Sequence, residues 1–400
     1  MNLFEQFNLN SDLLDAIKKL GFEKPSKIQE QSIPHIIKGE DVIGESATGS
    51  GKTLAFASGV FQKVVKGQGI QALILTPTRE LAEQVKKEFD KFSSGRTFRT
   101  ISIYGGVSIN PQIENLRKSE VVVATPGRLL DHLQRNTIDL SRVKILVVDE
   151  ADRMFDMGFL EDVEEIVKAC PKDRQTLFFS ATFSEEILYL ADNYMNSPVK
   201  IMATKMVDPK KLSQVYYDVP KNMKLSLLKH LLDNESSSLV MVFCNTRRTT
   251  DFVVKNLKKN DIDAIAIHGG FTQNKRSKAL DLFNKGKLGV LVCTDVAARG
   301  LHINDVSHVY NYEIPADPTD YVHRIGRTAR AGKEGKVINL LCDLDHSNFS
   351  RLLDVHSNYE IRCVDMPYVK RVVATRVEET ENQKRPMGRR KKKNYHQRRH

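Results

Sequence analysis

A chain of 400 residues exceeds what one hydrophobic core usually serves, and 40% apolar residues supply two cores, which excludes a disordered chain. The net charge of +11 points to a polyanionic partner, yet eleven Lys/Arg against three Glu from Arg371 to His400 put +8 of it there, so the body is nearly neutral. No uninterrupted apolar stretch approaches the roughly 18 to 20 residues that span a bilayer, and Met1-Asn2-Leu3-Phe4-Glu5 lacks the basic start and apolar core of a signal peptide, which predicts a soluble intracellular protein.

In chain order, Ser11 is placed to cap a helix bearing Leu13, Leu14, Ile17 and Leu20 on one face, ended by Gly21. Apolar, β-branched runs then alternate with longer helical stretches: Asp41–Gly44, Ala72–Thr76, Val121–Ala124, Ile145–Val148 and Thr176–Phe179, then Leu239–Phe243, Ala264–Ile267, Gly289–Cys293, Val306–Tyr310 and Val337–Leu341. The alternation predicts an α/β fold of βαβ units around parallel sheets, and continuous apolarity fits strands covered on both faces. A polar connector at 204–212 divides a first domain, 1–203, from a second, 213–368, and a basic tail, 369–400, is expected to be disordered. The cysteines, Cys170, Cys244, Cys293, Cys342 and Cys363, include no Cys-x-x-Cys pair and read as small buried hydrophobes.

The polar signatures fall where apolar strands stop, the end of a parallel sheet at which ligands bind. Ser46-Ala47-Thr48-Gly49-Ser50-Gly51-Lys52-Thr53 puts small residues where a loop brings backbone N–H groups against phosphate oxygens. Lys52 then serves the terminal phosphates and the Thr53 hydroxyl serves Mg²⁺. Asp149-Glu150-Ala151-Asp152 adds carboxylates, Asp149 to hold the metal through water and Glu150 to polarise the attacking water. Alone, the first segment is a turn at a helix start and the second a solvated acidic loop; each following an apolar strand, together they indicate nucleotide hydrolysis. In His323-Arg324-Ile325-Gly326-Arg327-Thr328-Ala329-Arg330, Arg327 and Arg330 lie three apart, share a helix face and can reach across an interdomain cleft as arginine fingers.

With these motifs in this order, residues 4–345 resemble the DEAD-box ATP-dependent RNA helicases. The resemblance implies two tandem RecA-like domains with ATP and Mg²⁺ in the cleft between them. Segment 4–30 resembles the adenine-reading part, where Phe22 stacks on the base and Gln29 bonds its edge. Ser46 to Thr53, Asp295, Arg327 and Arg330 are then the remaining nucleotide contacts, and His323 joins Lys52, Asp149, Glu150 and the two arginines in catalysis. Ser180-Ala181-Thr182 resembles the link between hydrolysis and strand separation, giving Ser180, Thr182, Asp152 and Arg324 coupling roles. Pro77, Thr78, Arg79, Gly105, Gly106, Thr125, Gly127 and Arg128 match RNA contacts of the first domain, and Thr246, Gly269, Gly270, Gln273, Arg276 and Thr294 those of the second. Hydroxyls, glycine N–H groups and single arginines suit phosphate and 2′-hydroxyl contacts rather than base reading.

Three positions depart from the family pattern: Ser46 for Ala or Gly, His302 for Asp, and Ala329 for a frequent Gly, the last expected to be harmless on a helix. The resemblance further implies RNA as partner, tethered also by the basic tail, with ribosomal or RNA-decay proteins as other partners, a monomer and a cytoplasmic setting. Two other readings stay open, an RNA-holding clamp or scaffold and a processive DNA translocase.

Overall fold

A computed structural model describes residues 2–46, 49–93, 98–181, 183, 185–203, 212–298, 303, 306–329, 334–357 and 359–375, with backbone only at Gln273, Asn274 and Ser277. Ala47, Thr48, Thr182, His302, Arg330, the side chain of Gln273 and the tail from 376 lie outside the described residues.

A short 3-10 turn (Leu3–Phe7) leads into α1 (Ser11–Lys19), α2 (Lys27–Lys38), β1 (Val42–Glu45), α3 (Lys52–Lys63), β2 (Ala72–Leu75), α4 (Arg79–Ser93), β3 (Thr100–Ile103), α5 (Asn110–Leu116), β4 (Val121–Ala124) and α6 (Pro126–Gln134). The first lobe continues through β5 (Ile145–Asp149), α7 (Ala151–Asp156), α8 (Leu160–Ala169), β6 (Gln175–Ser180), α9 (Glu185–Tyr194) and β7 (Val199–Met202). The second comprises β8 (Leu212–Asp218), α10 (Lys224–Asn234), β9 (Leu239–Phe243), α11 (Arg247–Lys259), β10 (Ala264–Ile267), α12 (Gln273–Asn284), β11 (Val290–Cys293), α13 (Asp295–Ala298), β12 (Val306–Asn311), α14 (Pro318–Ile325), β13 (Gly335–Leu341), α15 (His346–Val355) and β14 (Arg362–Cys363).

The strands form two seven-stranded sheets, in the orders β3-β4-β2-β5-β6-β1-β7 and β10-β11-β9-β12-β13-β8-β14, with every pairing parallel. Counted from the start of each lobe, successive strands take the same places in both sheets, so one topology is used twice. Central strands are buried on both faces and feed two cores by alternation. Ala72 and Ile74 of β2 join one side of the first sheet while Leu73 and Leu75 join the other. Met241 and Phe243 of β9 are likewise divided from Val240 and Val242.

Several sequence expectations need correction. α1 is capped by Asn10, whose side chain accepts from the Asp12 N–H at 3.0 Å, and Ser11 is its first helical residue. Leu212, assigned to the connector, already pairs with Gly335 in β8. Four strands that no apolar run announced, β3, β7, β8 and β14, lie at or beside the sheet edges. Ala329 has φ 53 and sits past the end of α14 in the left-handed region, not on a helix. Cys363 is exposed while the other four cysteines are buried. The chain beyond Tyr368 stays docked for several residues: Val369 is buried, Val372 N–H donates to Ser226 Oγ at 3.0 Å, and Thr375 exchanges two hydrogen bonds with the buried Asn256.

Candidate nucleotide and RNA sites

The turn after β1 is prepared for phosphate. Ser46 N–H continues the sheet to Ser180 C=O at 2.8 Å, and Ser50 Oγ donates to Ser46 Oγ at 3.0 Å. Gly49 and Gly51 take φ of 81 and 91, open to glycine at little cost. Gln29 Nε2 donates to Gly51 C=O at 2.9 Å while its Oε1 accepts from Ser26 N–H, so the adenine-reading segment and the phosphate loop are one assembly. A Cβ on Gly51 would stand 2.3 Å from Gln29 Nε2, which leaves only glycine there.

Lys52 opens α3 at the end of that turn and is buried, its Nζ 3.6 Å from Asp149 Oδ1 at the end of β5. Burial pushes the Asp149 carboxyl up to about 6 against the opposing pull of Lys52. Glu150 follows with φ 52, a left-handed conformation costly for a non-glycine residue, which turns the chain into α7. Burial raises the Glu150 carboxyl, but Arg153, 2.7 Å away at Nη1, together with Lys52 and Arg327, holds it below its ordinary range. Arg153 was not anticipated, although its place three residues on along the helix is readable in the sequence.

Lys52, Asp149 and Glu150 line a cavity of 530 Å³ that also takes in Phe22, Gln29, Thr53 and, from the second lobe, Arg327. Phe22 is 44% exposed at its edge, free to present a ring face. His323 joins Arg327, Lys52, Glu150 and Asp152 around a smaller gap beside it. The two lobes therefore meet where first-lobe carboxylates face a second-lobe guanidinium.

Asp152 ties this centre to the neighbouring strand end, accepting from Ala181 N–H at 3.1 Å while its own N–H donates to Ser180 Oγ at 3.3 Å. Arg324 is the corresponding anchor in the second lobe. Fully buried, it makes two 2.6 Å bonds to Asp295, donates to Asn245 and Asn311 side chains and to Glu313 C=O, and lies over the Phe243 ring. Asp295, expected at the nucleotide, thus has both carboxylate oxygens engaged by Arg324 and lies outside the 530 Å³ cavity lining. The bonds of Arg324 to Asn245, Asn311 and Glu313 were not readable in the sequence, because a polar residue at a strand end gives no sign of a partner 11, 13 or 79 residues away.

The expected RNA contacts all follow strand ends. Pro77, Thr78 and Arg79 come after β2, Gly105 and Gly106 after β3, and Thr125, Gly127 and Arg128 after β4. Thr246, Gly269 with Gly270, and Thr294 come after β9, β10 and β11. Arg79 lies across Gly106, where a Cβ would meet Nη1 at 2.1 Å, and Arg247 similarly covers Gly269. Arg128 donates to Val107 C=O and Gln112 Oε1. Arg276 differs from the others: it forms a 2.8 Å ion pair with Glu80 of the first lobe, both side chains largely buried, and donates to Ala297 C=O. Glu80 itself was overlooked as a contact across the cleft. No described helix is long and apolar enough to cross a membrane.

Two family descriptions match the chain, DEAD/DEAH box helicase over residues 26–190 and helicase conserved C-terminal domain over residues 223–332. The ATP-dependent RNA helicase CshA of Listeria monocytogenes is 45% identical over 345 residues, 85% of this chain and 66% of that protein. The DEAD-box ATP-dependent RNA helicase CshA of Bacillus subtilis is 44% identical over 348 residues, 86% and 70% of the two chains. The chain thus spans about two thirds of the length of the curated relatives it matches. Among solved structures, S. cerevisiae Dbp5 bound to RNA and ADP BeF3 superposes with a TM-score of 0.81 at 29% identity, covering 92% of this chain and 96% of that one. A DEAD box protein from Methanococcus jannaschii gives 0.56 at 41% identity, covering 90% and 98%. With tandem RecA-like lobes, a glycine-cradled Lys52, the Asp149-Glu150-Ala151-Asp152 strand end and Arg327 facing it, this chain belongs to the DEAD-box family of ATP-dependent RNA helicases.

Proposed function

We propose that the protein hydrolyses ATP and uses closure of its two lobes, 1–203 and 213–368, to separate short RNA duplexes and remodel RNA or RNA–protein complexes, acting as a cytoplasmic monomer. The observation that carries this reading is Arg327, which reaches from the second lobe into the cavity that holds Lys52, Asp149 and Glu150. The lobe arrangement agrees: the fit to Dbp5 with RNA and ADP BeF3 is better than to the M. jannaschii protein, although sequence identity favours the latter.

In this scheme Phe22 and Gln29 select adenine, and the glycine turn with Lys52 holds the phosphates. Glu150, kept ionised by its three cationic neighbours, orients and polarises the attacking water. Arg327, with Arg330, stabilises charge developing on the transferred phosphoryl group, worth on the order of 10³-fold or more in rate. Thr53 and Asp149 fit Mg²⁺, a hydroxyl and a buried carboxylate lining one cavity, and the ion would neutralise phosphate charge there. Asp152 and Arg324 pass closure to Ser180-Ala181-Thr182 and to the strand ends that grip the RNA backbone, so RNA and ATP favour the same closed state and bind cooperatively. Ribosomal or RNA-decay proteins would be the partners.

ATP turnover measured with no nucleic acid, with RNA and with matched DNA tests the reading; equal stimulation by DNA refutes it. Glu150→Gln should bind ATP and RNA yet lose about a hundredfold or more in turnover.

A further inference from the structure

A cavity of 770 Å³ in the second lobe shares no lining residue with the 530 Å³ cavity between the lobes. It opens where β8, β9, β12 and β13 end, between the first turns of α10 and α11 and the extended segment Arg371–Ala374. That segment is a fixed wall, held by the Val372–Ser226 and Thr375–Asn256 hydrogen bonds. Tyr312 and Phe252 form much of the interior, and exposed Leu344 and Val373 stand at its mouth.

The charges around it are unequal. Asp345 is committed to Lys224 at 2.7 Å, and Glu313 accepts from Asn245 N–H at 2.7 Å and from Thr249 Oγ1 at 3.1 Å. Lys221, Arg248 and Arg371 are exposed on the rim, and no described carboxylate pairs with any of them. The rim is therefore cationic and the walls largely apolar, the combination that holds phosphates outside and base faces inside.

The cavity also adjoins the surface proposed to grip RNA. Thr246 caps α11, accepting from Thr249 N–H at 3.0 Å, and Arg247 lies against Gly269. Arg248 comes next, about 100° further round the helix, and is turned to the cavity instead. A strand leaving Thr246 has this rim as its neighbour.

We propose that the cavity is an accessory subsite for single-stranded RNA, one that engages nucleotides flanking those held between the lobes and whose outer wall is the docked Arg371–Ala374 segment. The proposal rests on the helicase reading above and extends it. Phosphates contact Lys221, Arg248 and Arg371, and a base packs against Phe252, Leu344 and Val373.

The test uses the full chain and oligouridylates of increasing length, reading the RNA concentration that half-saturates ATP turnover at several salt concentrations. For long strands the triple variant Lys221→Ala, Arg248→Ala, Arg371→Ala should need about tenfold more RNA, and its log–log salt slope should fall by about 2, three phosphate contacts at ~0.7 each. The shortest stimulating strand should bind as to the parent, and saturated turnover should not change. Val373→Asp, which removes no cation at a position 89% exposed, should also cost the long strands their advantage. Unchanged length dependence in both variants overturns the subsite and leaves the face to an acidic protein partner. Absence of RNA stimulation in the parent overturns the helicase reading, and the subsite with it.

Discussion

The Glu80–Arg276 ion pair makes closure measurable. At 2.8 Å, with the side chains 9% and 15% exposed, the Coulomb attraction in a medium of effective dielectric ~20 is about 6 kcal/mol. Desolvation of the two charges returns most of it, leaving a net of about 1 to 2 kcal/mol, or roughly 5- to 30-fold in an equilibrium constant. When the lobes part, both side chains regain water, so this energy belongs to the closed state alone. Truncating one partner strands the other charge in the closed form, at a cost of about 2 to 5 kcal/mol. The quantity to measure is the RNA affinity gained on adding a nonhydrolysable ATP analogue. Glu80→Gln and Arg276→Gln should each reduce that gain by tenfold or more, and the double variant should be no worse than the poorer single one. ATP affinity without RNA should stay constant. Strict additivity in the double variant would refute the pairing; so would equal weakening of RNA binding with and without nucleotide in Arg276→Gln alone, which would make Arg276 a direct RNA contact.

Lys224→Met should cost about 3 to 5 kcal/mol of stability at neutral pH by stranding the buried Asp345 carboxylate, read by denaturant unfolding. Burial works against that carboxylate, but Lys224, the Cys342 thiol and Ile314 N–H hold it below its ordinary range. The unfolded chain therefore takes up the proton first. The stabilisation is complete above about pH 4 and is lost as pH falls further, and Asp345→Asn should flatten that acid slope. Ala329→Gly should raise the melting temperature by about 2 °C, because a non-glycine residue in the left-handed region costs about 1 to 2 kcal/mol and glycine returns part of that as unfolded-state entropy; a lower melting temperature would show that the conformation carries no strain. Ending the chain at Thr375 should weaken RNA binding with stability intact, whereas ending it at Tyr368 should also lower stability, through loss of buried Val369 and the bonds to Ser226 and Asn256.

Central strands were legible because burial on both faces demands unbroken apolar runs such as Val121–Ala124 and Leu239–Phe243, which match the observed bounds. At an edge that demand relaxes. Thr100–Ile103 alternates in burial, Val199–Met202 carries an exposed lysine, and Leu212–Asp218 mixes polar with apolar residues. The phosphate loop was legible because its chemistry is local, eight consecutive residues, Ser46–Thr53, that run into the start of α3. Partners were not: Arg276 reads the same whether it meets phosphate or Glu80, and Asp295 the same whether it meets the nucleotide or Arg324. Ala329 misled for a related reason, since arginine spacing suggests a helix that α14 abandons at Ile325.

The repeated topology explains why the labour divides as it does. Both sheets expose their strand ends in the same order, but the equivalent positions carry different groups. β5 ends on Asp149, followed by Glu150, whereas β12 ends on Asn311, whose side-chain oxygen accepts from Arg324 together with the Glu313 carbonyl. Beyond β1 lies a glycine turn leading into Lys52, whereas beyond β8 the chain enters α10 with Lys224 paired to Asp345. In the second lobe the Asp295 carboxylate, the Asn245 and Asn311 side chains and the Glu313 carbonyl together brace the Arg324 guanidinium. Neither lobe alone carries both the nucleophile-orienting carboxylate and the opposing cation. In the proposed mechanism hydrolysis then requires the closed juxtaposition, and RNA, by gripping both lobes, would set its rate.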